Sequence, residues 1–355
     1  MTGTSLDALD VSLIQATGHG LALHATVAAH ATHDLGELRP RLRAASEGAP
    51  LCARDFAALA LDFGNLHARA LRALAGSHQI HLAAIHGQTI FHAPPLSWQL
   101  VNPWPVAQQL RCPVVCDLRG ADLALGGQGA PITPLADWIL FRGDRATVVV
   151  NLGGFCNITW MPAAKEGPDA IGGADICPCN HLLDAAARTA LGQPFDRDGN
   201  TALRGTANPT ATKTLRQWLE TCAQAGRSLG TGDEGVAWIS RHAATLQPAD
   251  LLATVAAAIG AHIGAIAARR CPNASRIILA GGGARNAALC AAIAHAAHGA
   301  QVIESSTLGI AFEARESAEM AVLGLLAFDG VPITLAGVTG KKIQGARDGL
   351  WCLPQ

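Results

Sequence analysis

Residues 146–161 read ATVVVNLGGFCNITWM. Ala146 to Val150 is a β-branched run that reads as a strand, NLGG reads as a glycine turn, and Asn157 to Met161 reads as the returning strand. The start of the chain has a similar order. There GTSLDALD, Gly3 to Asp10, precedes short strands at Val11 to Ile14 and Leu21 to Ala29. Duplicated lobes produce such an echo, as does chance.

Working outward, the chain alternates strand and helix patterns, which argues for α/β layering. Leu51 to Ala75 has helical periodicity, and His81 to Ile85 is a strand running into HGQTIFH. Pro113 to Cys116 is another strand, followed by the turn-rich DLRGADLALGGQGAP. Those glycines, with Pro131 and Pro134, mark a lobe boundary, giving residues 1–133 and 134–355, with the C-terminal tail free to rejoin the first lobe. In the second half, GGADICPCN reads as a loop and about His181 to Leu191 as a helix. FDRDGNTALRGTANPT is a polar excursion, Arg276 to Ala280 a strand, and Ala287 to Ala297 and Ala314 to Phe328 are helices. The last residues read as irregular.

Composition narrows the function classes. The chain has 355 residues, half of them apolar by a wide count and 15% charged, which suits two globular cores and excludes a disordered chain. Twenty-six basic residues face twenty-seven acidic ones with no basic stripe, so neither nucleic acid nor an anionic membrane surface is an expected partner. The ten cysteines form no C-x-x-C pair and no zinc set, so reduced thiols in a cytoplasm are expected. MTGTSLDALD has neither the basic nor the apolar region of an export signal. Leu251 to Ala268 is long enough to span a membrane, but it is mostly Ala and Gly, with helix-start chemistry at Pro248 and Asp250 and Arg269 and Arg270 behind it. It reads as a helix buried between layers.

Three glycine loops carry the chemistry. In the first, Gly3 admits close approach, Thr4 and Ser5 offer donors to phosphate oxygens, and Asp7 and Asp10 are acceptors suited to Mg²⁺-bound water. The ordinary alternative is a solvated β-turn, and no Walker lysine follows. In the second, Gly153 and Gly154 end a strand. In the third, GGGARN, Gly281 to Asn286, leaves room for a base or ribose and presents a helix N-terminus to anionic oxygens. It lacks the dinucleotide spacing. Each loop alone is an ordinary turn, but their order, phosphate, phosphate, nucleoside, is informative.

With these motifs the chain resembles the anhydro-N-acetylmuramic acid kinase family, a branch of the actin, sugar kinase and Hsp70 superfamily. The family opening M-S-G-T-S-L-D-G-x-D stands here as MTGTSLDALD. HGQTIFH (86–92), CDLRGADLALGGQGAP (116–131), VVVNLGGFCNIT (148–159), FDRDGN (195–200), AGGGARN (280–286), RESAEMAVLG (315–324) and VTG (338–340) resemble further signatures in order. The resemblance implies two ribonuclease-H-like lobes around a central cleft that holds MgATP and a 1,6-anhydro sugar. ATP and Mg²⁺ are then the cofactors, and the anhydrosugar is the small-molecule partner. A homodimer stays open.

The reaction implied is hydrolysis of the 1,6-anhydro ring with phosphorylation of O6, in peptidoglycan recycling. The family base is the Asp of F-D-T-G-P-G-N, which falls on Asp175 in Ala174-Asp-Ile-Cys-Pro-Cys-Asn180. The bland alternative for Asp175 is a cap on the following helix. The resemblance also assigns the triphosphate to Gly3, Thr4, Ser5, Leu6, Asp7, Ala8, Leu9 and Asp10, to Asn151, Gly153 and Gly154, and to Gly281, Gly282, Gly283 and Asn286. His86, Gln88, Asp117 and Arg119 fall to the sugar, with Arg119 able to fork onto the lactyl carboxylate. Magnesium falls to Asp7, Asp10 and Glu316 through water.

Departures from the pattern are Ala8 for a glycine, which narrows the backbone if its φ is positive, Cys177 and Cys179 for glycines near the sugar, and Ala174 for an aromatic. The family also carries a strand ahead of the first loop, where this chain opens on the loop itself, so unpaired neighbours are expected in the first lobe's sheet. A kinase for another anhydrosugar such as levoglucosan, or a nucleotide-binding homologue without catalysis, are the alternatives.

Overall fold

The computed structural model describes residues 1–3, 6–224, 235–343, 345 and 348–354. It divides into two compact units, one formed by Met1–Phe141 with Glu313–Gln355 and the other by Arg142–Phe312. The boundary therefore falls eight residues later than the proline cluster suggested, and the tail from Glu313 onward lies with the first unit.

In the first unit, β1 (Leu9–Thr17) pairs antiparallel with β2 (His24–His33). Two helices follow, α1 (Leu38–Ser46) and α2 (Ala53–Ala75). The latter buries Leu59, Phe63, His67 and Ala70 along one stripe. The short β3 (Ala83–Ala84) precedes a hairpin of β4 (Gln88–Ala93) and β5 (Leu96–Leu100). Then come α3 (Trp104–Leu110), β6 (Val114–Cys116), α4 (Gly120–Ala124) and α5 (Pro134–Phe141).

The second unit is built on β7 (Thr147–Leu152), whose six residues are all buried, as a β-branched run covered on both faces should be. β8 (Phe155–Met161) and β9 (Gly172–Pro178) continue as an antiparallel meander. α6 (Asn180–Leu191), α7 (Pro209–Gln224), α8 (Val236–Ala243) and α9 (Pro248–Arg270) follow. β10 (Arg276–Ala280), α10 (Ala287–His295) and β11 (Gln301–Glu304) complete it. The sheet order is β11-β10-β7-β8-β9, with β10 parallel to both β7 and β11. That is the order and sense expected of a ribonuclease-H-like lobe. Among the described residues, α9 is the helix long and apolar enough to cross a membrane, yet 78% of its apolar window is buried. Gly260 and Gly264 let it lie against α10, since a Cβ on either would come within 2.6 Å of Ala292 or Ala296.

The chain then returns to the first unit with α11 (Arg315–Phe328), α12 (Ala336–Thr339) and β12 (Leu350–Cys352). Arg315 is fully buried and bidentate to Asp137 of α5, with 2.7 Å to each carboxylate oxygen. Thr339 Oγ1 donates to the buried Asp122 Oδ1 at 2.7 Å. These two contacts fix the tail on the first unit. The unit's ladders are β1–β2, β3–β6–β12 and β4–β5. The end of the chain is thus not irregular, because β12 pairs antiparallel with β6.

Candidate active site

In the second unit, parallel register sets the site. Ala280 lies opposite Asn151, so β7 and β10 end together and both glycine turns leave the sheet at one place. Gly281 has φ +79°, and a Cβ there would sit 2.6 Å from Asn151 Oδ1 and 2.9 Å from the Leu152 carbonyl. A Cβ on Gly283 would meet Asn180 Oδ1 at 2.6 Å, whereas Gly282 has nothing within 4 Å. The NLGG turn rests on the start of α6: Gly153 O accepts from Asn180 N (3.0 Å) and Gly154 O from Cys179 N (2.9 Å). Gly154 has no room for a side chain on its inner face, where the His181 ring lies.

Beside the GGGARN turn and the start of α6 is a cavity of about 260 Å³. Leu183, Ala202 and Leu252 give it an apolar floor, and Phe195, Asp196, Asp198, Arg285, Asn286 and the glycines Gly282 and Gly283 give it a mixed rim. Such a lining suits a flat heteroaromatic group with a polar edge. The Asp196 carboxylate accepts from Thr201 N and Ala202 N, which shapes the wall. Asn286 caps α10 through Leu289 N at 3.0 Å, so its oxygen is used within the fold. In sequence, residues 195–202 read as a polar excursion that opens on the FDRDGN signature, with no sign of the wall they form. What they build becomes visible when Leu252 arrives from α9.

Asp175 lies on β9, where the sequence suggests a loop. Cys156 pairs with Cys177, and Asn157 with Asp175, so Ile176 is an extra residue and the strand is bulged. A bulge re-aims the neighbouring side chain, and here it leaves Asp175 half-buried between the buried Ile176 and the half-buried Ala174. The bulge is held by His262 of α9, whose Nε2 is 3.2 Å from Ile176 O. Burial lowers the His262 pKa against the opposing pull of the Ile176 carbonyl and Glu220, and the ring nitrogen that faces the carbonyl is its donor. The N-cap of α6 is Cys179 with no side-chain cap. Cys177 and Cys179, expected to add bulk near a sugar, are instead wholly buried in the unit's hydrophobic core with Cys156. Burial pushes the Cys156 and Cys179 thiols well above their usual range, which makes them inert packing groups.

The first unit holds the other candidates. Of the first loop, Thr4 and Ser5 lie outside the described residues. Leu6 N donates to Gly3 O at 3.2 Å, and Leu6 takes the positive φ of 56° while its side chain is buried. Ala8 is not among the positive-φ residues, so the missing glycine there costs no backbone strain. Leu9 is buried in the core. Asp7 is exposed, and Asp10 Oδ1 accepts from Thr32 Oγ1 at 2.7 Å. Asp10 and Glu316, in the first turn of α11, both act on the enclosed α-ammonium of Met1, whose pKa burial lowers to about 6. The described residues contain no three-ligand metal cluster. Hard carboxylate oxygens without a cage fit a magnesium ion that keeps its waters and is carried by phosphates.

The residues expected at the sugar divide into two groups. His86 is buried, its Nδ1 meets Gly87 O at 3.0 Å, and its Nε2 accepts from Arg119 Nε at 3.1 Å. Gln88 is buried too, accepting from Thr2 Oγ1 and donating to Thr89 O. Both are hydrogen-bonded within the fold. Arg119 is half-buried and also donates to Gly129 O at 2.6 Å. Asp117, with φ 49°, accepts from Gly120 N at 3.0 Å and so starts α4. Sequence reasoning missed Asp122, whose other oxygen takes Gly129 N at 2.7 Å and thereby sets the carbonyl that Arg119 uses.

The family model for anhydro-N-acetylmuramic acid kinase matches residues 1–347. The chain belongs to this family. It is 33% identical over 365 residues to the anhydro-N-acetylmuramic acid kinase of Prochlorococcus marinus (strain MIT 9303), covering 96% of this chain and 95% of that protein. It is 32% identical over 370 residues to that of Salinibacter ruber (strain DSM 13855 / M31), covering 97% and 93%. Among solved structures, a ROK family glucokinase from Streptomyces griseus in complex with glucose and AMPPNP aligns with a TM-score of 0.41 at 14% identity, covering 89% of this chain and 98% of that one.

Proposed function

We propose that this kinase opens the 1,6-anhydro ring of anhydro-N-acetylmuramic acid with water and transfers the γ-phosphoryl group of ATP to O6, with Asp175 as general base. The observation that carries the reading is that the NLGG and GGGARN turns leave the sheet together at the ends of β7 and β10, with GGGARN lining a cavity and the bulged strand bearing Asp175 in the same unit. In the step, the water oxygen bonds to the anomeric carbon, the C1–O6 bond breaks, and the Asp175 carboxylate takes the water proton. O6 then bonds to the γ-phosphorus and ADP departs. The backbone amides of the glycine turns orient the phosphates, and the cavity by Phe195 takes the base. Arg119, held by His86 and Gly129, is the fork for the lactyl carboxylate. Magnesium, with Asp7, Asp10 and Glu316 as its water-mediated holders, neutralises phosphate charge when bound. The chemistry belongs to the cytoplasm, where ATP and recycled wall fragments meet.

The test is Asp175→Asn. Product formation falls by about 10²–10⁴-fold, the usual contribution of a general base, while calorimetric binding of MgATP is retained. Near-normal turnover in that variant removes Asp175 from the role. Wild-type protein that binds an ATP analogue yet makes no product is instead a non-catalytic homologue.

A further inference from the structure

Strict alternation along β9 sends Asp175 to the wrong face. Cys177 packs in the second unit's core opposite Cys156, and on an even strand the residue two places before it shares its face. Asp175 instead pairs with Asn157, the neighbour of Cys156, and so stands on the other face, while Ala174, Ile176 and Cys177 all pack on the core. The extra residue, Ile176, makes that reversal. Without it the carboxylate turns towards buried apolar groups, where an isolated ionised acid is costly.

Ile176 has no partner opposite in the register, and its carbonyl is met from outside the sheet. His262 of α9, 2% exposed, brings Nε2 to 3.2 Å from Ile176 O. On the other side of the ring, Glu220 Oε2 of α7 stands 3.7 Å from Nδ1, beyond a hydrogen bond, and Glu220 Oε1 accepts from Arg269 Nη1 at 3.0 Å. A neutral ring has one N–H, and the nearer acceptor takes it. Among the buried residues of α9, His262 is the one titratable group in a row of Leu, Val, Ala, Ile, Gly and Thr. Its ring is spent on this carbonyl.

We propose that His262 is a positioning residue for the general base: its Nε2–H, given to Ile176 O, pins the bulge that turns Asp175 off the core face. This rests on the reading of Asp175 as the base. α9 makes the role separable from packing, because the same helix supplies Leu252 to the nucleotide cavity. A change confined to the His262 donor alters the step that Asp175 performs and spares nucleotide binding, whereas a displaced α9 disturbs both.

Three variants test this. His262→Leu removes the donor, His262→Asn carries its amide nitrogen at the Nδ1 end of the ring, and His262→Gln carries one at the Nε2 end. In the Leu and Asn proteins kcat falls about tenfold to a hundredfold, the scale of a reacting group misplaced by an ångström, while calorimetric MgATP affinity stays within about twofold. The Gln protein recovers most of the lost kcat. In an Asp175→Asn background the Leu and Asn changes add little further loss, because the group they position is gone. Should the Leu protein not fold, the Asn and Gln pair carries the comparison, both being polar and close in size. Wild-type kcat in a folded Leu or Asn protein, a Gln protein as slow as the Asn one, or MgATP affinity that falls in step with kcat overturns the proposal. Those outcomes leave the base assignment standing where Asp175→Asn is itself inactive. A near-normal Asp175→Asn protein removes the base, and this role of His262 with it.

Discussion

Arg119 takes its direction from groups that never meet a substrate. The neutral His86 ring accepts its Nε–H, and that neutrality is enforced: burial first, then the Arg119 charge, pulls the His86 pKa down to about 3. His86→Leu leaves that donor unpaired, so stability falls by about 1–3 kcal/mol in urea titrations and the KM for sugar rises more than that for ATP. Arg119→Lys keeps charge and loses the fork, so the KM for a carboxylate-bearing anhydrosugar rises about tenfold to a hundredfold, while one lacking the carboxylate is spared. Equal losses on both sugars would take Arg119 off the carboxylate. The glycines allow a cleaner separation of folding from binding. Gly281→Ala forces a strained φ and a clash with Leu152 O, lowering stability by more than about 1 kcal/mol. Gly282→Ala meets nothing, so its melting temperature is unchanged, and any loss of ATP affinity reads the approach of the phosphates. The polar row of HGQT suits a ligand set and a framework equally in sequence; the partners of His86 and Gln88, far apart along the chain, became visible only in the fold.

At the scale of elements, legibility followed how local the cause was. The β7 run, the capped apolar helix α9 and the strand β10 are visible because propensity and pattern agree over several residues. β9 was hidden because the extra residue at Ile176 breaks the alternation by which strands are read, and because Gly172, Gly173 and Pro178 signal turns. The tie between α5 and α11 was hidden for another reason: Asp137 and Arg315 are 178 residues apart. Their neighbour Glu319 is buried with one oxygen 2.7 Å from the guanidinium, without hydrogen-bond geometry. Burial raises its pKa well above 4.5 against the pull of Arg315, and the Asp137 charge adds to the rise. An acid raised on folding binds more protons folded than unfolded, so it removes stability as pH climbs above 4.5. Glu319→Gln therefore gains stability relative to wild type between pH 5 and 8, while Asp137→Asn, which leaves Arg315 buried with a weakened partner, loses about 3–5 kcal/mol. A Glu319→Gln protein whose relative stability is independent of pH would show that the carboxyl is ionised in the fold.

For the whole molecule, the two units differ in how many buried histidines they must keep neutral, and this sets their response to acid. The first unit holds His67 and His86, both drawn down to about 3. For His67 the cause is burial and then the Met1 ammonium, opposed by Phe63 O. In the second unit His262 is also lowered by burial, but the Ile176 carbonyl and Glu220 pull the other way. A histidine lowered on folding binds fewer protons folded than unfolded from pH 6.5 down to its folded pKa, so stability is lost as pH falls through that window. Well below pH 6.5 each contributes up to about 1.4 kcal/mol per pH unit and the two up to roughly 2.7; the lowered Met1 ammonium and His92 act with the same sign, and Glu319 supplies an opposing slope above 4.5. Exchange of the β1 and α2 amides should therefore accelerate relative to that of β7 and β10 when pH falls from 7 to 5.5, after correction for intrinsic rates. His67→Gln should remove about half of the part of that slope that the two buried rings supply, because it deletes one of them and leaves the Arg119 acceptor in place. Parallel acid responses of the two units, or a His67→Gln slope equal to wild type, would mean that these rings are solvated enough to protonate within the fold.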